Sequence, residues 1–527
     1  MRALLKAGKR WLVLGHRWLG IGTALFFLAW LLSGLVMMYV PFPGLTEAER
    51  LAALPPLALA QVAAPPGADL VAGARIELEM QGDEPVYRLV SPEGRHRALS
   101  ARTGAPMPAL DQAAALALAR ARFGAGAWVD TVARDQWSVA GRYDPHRPLR
   151  RVGLGDAAGT ELYFSGPTGA LVLETTRRAR AWNWLGAVPH WLYPTPLRAR
   201  PGLWRDVVLW VSGIGIAGAV SGLSLGIWRL RLRRPYRSGS VTPYRGLARW
   251  HHLFGLVGGV AILTFVTSGW LSVNPNQWFS GPSPTTAMRA GFAGASSPAP
   301  DLPAIRAAIP PGTVSLRWLA LGGRTRLVAT DAAGRRSVTP ALGPDEIRAA
   351  APGLIPGARL ARIERLTRDD VYWYSHHDSR VLPVLRLVFD DPAATWFHVD
   401  AMTGELLDRL DRSGRVQRWL FAALHRLDLP LLIGHRPAWD LALWSLTSLA
   451  LVVALTGAVL GWRRLRRRPA GTRRGSGRAR QADLVAGRRE ADDALRGGHR
   501  EVLERLEGAS QILGRRRLAR ARGEKQL

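Results

Sequence analysis

The sequence predicts an integral membrane α-helical protein: four transmembrane helices in a parallel pseudo-two-fold repeat, with two small α+β domains outside the membrane. Three observations predict it. Four long windows lack charged residues, arginine and lysine are unevenly distributed, and the chain resembles itself at a spacing of 235 residues. The chain has 527 residues, of which 48% are hydrophobic, too apolar for wholesale disorder. It contains no cysteine, which excludes disulfides, thiolate metal sites, iron–sulfur clusters and cysteine nucleophiles together. Any metal must be held by histidine, carboxylate, methionine or tyrosine.

The windows Trp18–Val40, Val207–Trp228, Leu253–Val273 and Leu441–Trp462 contain no Asp, Glu, Lys or Arg. Each has the roughly 20 residues that a helix needs to cross a bilayer. The first is too long for the roughly 7–15-residue core of a signal peptide, and no small-x-small cleavage site follows it, so it reads as an uncleaved anchor. Many of the 21 tryptophans lie near the ends of these runs, as in interfacial aromatic belts.

Charge sets the orientation. Residues 1–17 carry five Lys/Arg and no acid, residues 229–249 carry seven Arg and no acid, and residues 463–527 carry 20 basic and eight acidic residues. These three segments hold +24 of the total net charge of +31. The segments 41–200 and 274–436 are nearly balanced, at 18 basic to 15 acidic and 20 to 15. The positive-inside rule therefore puts both termini and the 229–249 loop in the cytoplasm, and the two long segments in a bacterial periplasm. Topology and attraction to anionic lipid account for the basic excess, so the lipid bilayer and not nucleic acid is the expected partner.

The expected organisation is a cytoplasmic N-terminus and first helix (1–40), a first periplasmic domain (41–203), a second helix (204–228), a basic loop (229–249), a third helix (250–273), a second periplasmic domain (274–436), a fourth helix (437–462) and a basic tail (463–527). The repeat supports it. At a shift of 235, His16 falls on His251, Ser33-Gly34 on Ser268-Gly269, Thr168-Gly169 on Thr403-Gly404, Trp184 on Trp419, His190 on His425, Trp204 on Trp439 and Gly222 on Gly457. Both halves then run in the same direction, and equivalent residues face each other across an axis along the membrane normal. Within the outer domains, "LDQAAALALARARFG" reads as a helix. "VYRLVSPEGRHRAL" reads as strand, turn, strand. "LPVLRLVFDDPAATWFHVDAMTGELL" reads as two or three strands with turns at Asp-Pro and Thr-Gly. Segments 41–70 and 281–313 are rich in Pro, Ala and Gly and read as irregular. In the tail, "ADDALRGGHREVLERLEGASQIL" reads as an amphipathic helix.

Of twelve histidines, four fall in equivalent pairs: His16 with His251, and His190 with His425. The first pair sits at the cytoplasmic ends of the first and third helices. The second sits in the Trp-rich segments "AWNWLGAVPHWLYP" and "QRWLFAALHRLDLP", expected as short helices against the outer leaflet. Two imidazoles on opposite sides of a flat macrocycle are a known way to hold haem iron. The bland alternative is a polar boundary residue. Gly20, Gly22, Gly255, Gly258 and Gly259 lie one to two turns inward from His16 and His251, where they either clear a ring or pack helices closely. The second and fourth helices contain no histidine and are expected to supply only packing. His252 has no counterpart, position 17 being Arg17, and is expected to be a neighbour, though His251 and His252 are exchangeable as ligands at this stage. His376 and His377, in "YWYSHHDSR", line a substrate site or a polar turn. There is no dinucleotide fingerprint, P-loop or H-E-x-x-H, and no charged residue within the four windows to carry a proton relay.

The strings "GHRWLG…SG" at the first span, the "TG" turns, the "W-x5-H" segments and the closing "SGLSLGIWRLRLRRP" and "TGAVLGWRRLRRRP" resemble the PepSY-associated transmembrane helix family, over about residues 10–468. This family is typified by iron-regulated membrane proteins and the ferric-siderophore reductases of Gram-negative bacteria. The resemblance implies PepSY-like periplasmic domains and, in the reductase branch, two haem b groups carrying electrons across the inner membrane. Its implied substrate is a periplasmic Fe(III)–siderophore, reduced to release Fe(II), with an unidentified donor on the cytoplasmic side. His16, His251, His190 and His425 match the axial ligand positions. The alternatives are a non-enzymatic PepSY-domain protein that binds or regulates a periplasmic partner, and an iron or siderophore transport accessory.

Overall fold

The computed structural model describes residues 2–66, 75–91, 93–295, 302–376 and 380–466; the tail with its expected amphipathic helix lies outside them. Residues 1–462 form one compact unit. Four helices, Arg2–Met37, Pro201–Arg229, Leu247–Ser272 and Ala438–Arg466, are long and apolar enough to cross a membrane. The protein is therefore membrane-embedded. The first helix stops at Met37, three residues short of the apolar window, because Val40-Pro41-Phe42-Pro43 follows and a residue before proline is driven to extended backbone. The second starts with Pro201 in its first turn, where proline loses no hydrogen bond. Leu31, Ala261, Ile262, Ala450 and Ala454 make the centre of the bundle. Gly258 is a close-packing residue: a Cβ there would stand 2.5 Å from the Leu449 carbonyl of the fourth helix.

Outside the spans lie β1 (Arg75–Gln81), β2 (Glu84–Val90), β3 (His96–Ser100), β4 (Trp128–Val132), β5 (Leu149–Gly153), β6 (Glu161–Ser165) and β7 (Leu171–Thr175) of the first segment. The second segment contributes β8 (Thr313–Leu321), β9 (Arg324–Asp331), β10 (Arg336–Thr339), β11 (Leu360–Leu366), β12 (Val384–Phe389), β13 (Trp396–Asp400) and β14 (Leu406–Leu410). They form two four-stranded antiparallel sheets, β4-β5-β6-β7 and β11-β12-β13-β14, and one shared sheet, β3-β2-β1-β8-β9-β10. The shared sheet joins the segments through the antiparallel pair β1–β8, with Ile76 opposite Trp318 and Glu79 opposite Ser315. Alternate residues of these strands, Ile76, Leu78, Leu316 and Trp318, enter one core, as the two-residue period requires.

The expected helix spans Gln112–Phe123, capped by Asp111 and ended by Gly124 at φ 67, and buries Ala115 and Ala119 against Val152 and Leu162. The strand–turn–strand reading corresponds to β2 and β3, and the longer string to three strands, β12 to β14. The expectation of irregular backbone at 41–70 and 281–313 is corrected. Short helices form at Glu47–Ala52, Thr286–Ala293 and Leu302–Ala308. Capping outweighs composition in the first two. Thr46 and Glu49 make a reciprocal capping box, and the Thr285 hydroxyl accepts the Met288 amide.

Candidate metal centres: two facing pairs of histidines

At the basic end of the bundle the His16 ring, on the first spanning helix, faces the His251 ring, on the third, at 6.4 Å between centres and 30° between planes. Each ring is held by a helix that carries no histidine. His16 Nδ1 lies 3.3 Å from the Gly218 carbonyl and 3.4 Å from Ser221 Oγ of the second helix. His251 Nδ1 lies 3.0 Å from Thr456 Oγ1 of the fourth. The next residue in each case is glycine. A Cβ on Gly222 would stand 2.6 Å from His16 Cε1, and one on Gly457 would stand 3.2 Å from His251 Cε1. The expectation that the second and fourth helices supply only packing is thereby corrected: they orient both imidazoles.

At the sheet-bearing end His190 faces His425, at 5.9 Å and 72°. Both lie outside the spanning helices. His190 ends the short helix Ala187–His190 after a break at Gly186, where a Cβ would stand 3.0 Å from Val36 of the first helix. His425 follows a π-helical turn at Trp419–Ala423, a distortion common at functional sites. The anchoring is the same as before. His190 Nδ1 lies 3.1 Å from both Ser33 Oγ and the Trp30 carbonyl. His425 Nδ1 lies 3.1 Å from Ser268 Oγ and 3.0 Å from the Phe265 carbonyl. Gly34 and Gly269 follow those serines, and a Cβ on either would stand 3.3 Å from the ring. The indoles of Trp204 and Trp439 donate to the carbonyls just after the two histidines, Trp191 at 2.9 Å and Arg426 at 2.7 Å.

The network assigns the tautomer. The hydroxyls spend their own protons on helix carbonyls: Ser33 on Trp30, Ser221 on Gly218, Ser268 on Thr264 and Thr456 on Val452. Each hydroxyl therefore accepts from an Nδ1–H, and Nε2 keeps its lone pair. Burial pushes the imidazoles outside the spans down, to about 4 for His190 and about 3 for His425, the latter helped by His190, so both are neutral. An Nε2–metal bond of about 2.0–2.1 Å on each side, with the ring centre about 1.1 Å behind the nitrogen, puts two axial imidazoles roughly 6.2 Å apart. The observed 6.4 and 5.9 Å bracket that separation. Neutral donors, fixed Nδ1–H groups and free Nε2 atoms fit bis-imidazole ligation of a haem iron.

His190 and His425 also line a cavity of about 1040 Å³ walled by Trp30, Phe265, Tyr372 and Trp439. Arg198, Arg380, Arg426 and His376 reach the same cavity. His376 is stacked on Trp439 at 4.7 Å and bonds Asp428 through Nε2 at 2.6 Å. Asp428 is fully buried and also accepts from Tyr374 at 2.5 Å and Arg426 at 2.7 Å. His377 lies outside the described residues. His252 turns to the second helix, with Nε2 2.9 Å from the Gly226 carbonyl, so the ring that faces His16 is that of His251. Among the inward glycines, Gly20, Gly22 and Gly255 face open space, whereas Gly258 and Gly259 meet Leu449 and Leu223. Sequence reasoning aligned Ser33-Gly34 with Ser268-Gly269 and Gly222 with Gly457, but gave them no role. A Ser/Thr-Gly pair recurring once in each spanning helix was the available signal. Comparison with protein-family models, with curated proteins and with solved structures found no match.

Proposed function

We propose that this chain is a di-haem b electron-transfer protein of a bacterial inner membrane that reduces a periplasmic Fe(III)–siderophore and so releases Fe(II). In this reading the halves are parallel pseudo-two-fold repeats, the sheets are PepSY-like periplasmic domains, and the termini and the 229–249 loop are cytoplasmic. The observation that supports it is the pair of facing imidazole couples, each at axial-ligand spacing with Nδ1–H anchored and Nε2 free.

A haem bound at each couple supplies a one-electron carrier. The rest is the work of the chain. His16, His251, His190 and His425 bind iron through Nε2, and the Ser/Thr-Gly pairs hold the ring planes. On the first helix, 17 residues separate His16 from Ser33, the partner of His190. At about 1.5 Å per residue that is roughly 25 Å along the axis, close to the thickness of a bilayer core of about 30 Å. The two couples therefore serve opposite faces. Phe27, Trp30 and Phe265 keep water from the couple at the sheet-bearing end. Reduction loosens a chelate with hard oxygen ligands because Fe(II) is the softer, less charged ion.

A pyridine haemochrome assay on the purified full-length protein tests the reading. The expected value is two haem b per chain, falling to about one in His16→Ala or His425→Ala. Protein lacking a Soret band in both redox states overturns it.

A further inference from the structure

A second cavity, of about 630 Å³, opens beside β1, β2 and β3 in the first outer segment. Its size is within the roughly 300–1,000 Å³ of small-molecule sites. Its floor is neutral: Arg50 pairs with Glu77 at 2.9 Å and with Glu79, and Arg88 Nε pairs with Glu79 at 2.9 Å. Its rim is not. Arg75, Arg97, Arg122 and Arg142 line it against Asp83 and Glu47, and Glu47 is already taken by Arg50. Arg75 and Arg97 make no hydrogen bond or ion pair among the described residues. Unpaired arginines present planar donor forks suited to carboxylate oxygens.

A second observation comes from the same wall. His96 and His146 meet edge to face at 4.5 Å, and His146 Nδ1 is buried without a partner. Burial, then His96 and Arg88, push His146 down to about 4, so this ring is a neutral polar group waiting for a hydrogen bond. The surrounding arginines disfavour a bare cation here and favour an anion.

The cavity also lies close to His190. Tyr143 lines it and belongs to an apolar cluster with Trp137, Val188 and Phe42. Phe42 stands 5.9 Å from Trp137 and 5.5 Å from Trp191, and lines the cavity that holds His190. One aromatic layer separates the two cavities.

We propose that this arginine-rimmed cavity docks the electron acceptor and takes a multiply anionic ferric chelate whose carboxylate or catecholate oxygens meet Arg75, Arg97 and His146. The proposal rests on the electron-transfer reading and narrows its substrate to anionic chelates. The test is calorimetric titration of the full-length protein in detergent with Fe(III)–citrate. Iron-free citrate and a cationic Fe(III) trihydroxamate are the comparison probes, and haem per chain is measured on every sample. Fe(III)–citrate is expected to bind with an affinity that falls as salt rises. The double variant Arg75→Gln/Arg97→Gln is expected to weaken binding at least tenfold and His146→Phe several-fold, with haem per chain unchanged and Arg97→Lys close to wild type. Equal binding by wild type and the double variant, or equal affinity for the cationic chelate, overturns the proposal. Equal affinity for iron-free citrate overturns the ferric assignment. Anionic-chelate binding by protein that carries no haem sinks the electron-transfer reading and leaves the anion site, whereas two haems per chain with no chelate binding sinks the cavity alone.

Discussion

At the basic end of the bundle both facing histidines sit on spanning helices, and their rings lie 30° apart; at the sheet-bearing end both sit on short segments outside the spans, and the rings cross at 72°. The holding groups exchange places accordingly. Ligands on the first and third helices are oriented by the second and fourth, and ligands that precede the second and fourth helices are oriented by the first and third. Each helix thus carries one Ser/Thr-Gly pair. The surroundings differ more than the device. Only the couple at the sheet-bearing end adjoins the buried Asp428, with its Tyr374, His376 and Arg426 donors. One couple is built for retention, and the other adds polar groups through which an exchanging partner can be recognised.

The strongest way to break this comparison is Gly222→Val. The first added carbon would already stand 2.6 Å from His16 Cε1, so the ring must leave its place. The expected outcome is haem falling from two per chain to about one, with the couple at the other end retained. Equal loss from both couples would mean that they are not independent. Asp428→Leu should act on the other end only. Removing one partner of a buried, hydrogen-bonded charge cluster costs about 3–5 kcal/mol, to be read as a lower unfolding temperature and an altered spectrum for the His190–His425 couple alone. Ser33→Ala should be milder. The Trp30 carbonyl still accepts from His190 Nδ1–H, so the expected change is about tenfold in cofactor affinity, the lower end of the effect of second-layer partners. It is measured by the rate of haem transfer to an apoprotein acceptor.

The smallest effect compares the two four-stranded sheets. In one, buried Tyr163 donates to Asp135 at 2.8 Å; in the other, 235 residues on, His398 Nε2 accepts from Arg386 at 3.0 Å, and Arg386 pairs with Asp370 at 2.7 Å. Burial, then Arg386, push His398 down to about 3, below the roughly 6.5 of an unfolded chain. The unfolded state then binds the extra proton as pH falls. The stability contributed by neutral His398 is full above pH 6.5 and is lost progressively from there toward pH 3. Thermal melts between pH 7.5 and 5 should show a decline that His398→Gln flattens; an identical slope in the variant counts against this role.

Much of the architecture was legible before any coordinates. Long charge-free runs report the spanning helices because lipid tolerates little else, and alternation reports strands such as β12 and β13. The four histidines were legible as equivalent positions because chemistry in duplicated chains recurs in register. What spacing does not carry is which helix stands behind which ring. Reading the second and fourth helices as mere packing missed Ser221-Gly222 and Thr456-Gly457, since neither pair lies near a histidine in the sequence.

By itself, then, the sequence determined the four spans, the strand pattern and the pairing of His16 with His251 and His190 with His425 as equivalents, all of them consequences of local hydropathy and register. Only the tertiary structure decided that His251 rather than His252 faces His16, that the two outer segments share a sheet through β1 and β8, and that glycines leave room for each imidazole. Those depend on which surfaces meet over separations of about 160 to 240 residues, a matter of packing that no local pattern encodes.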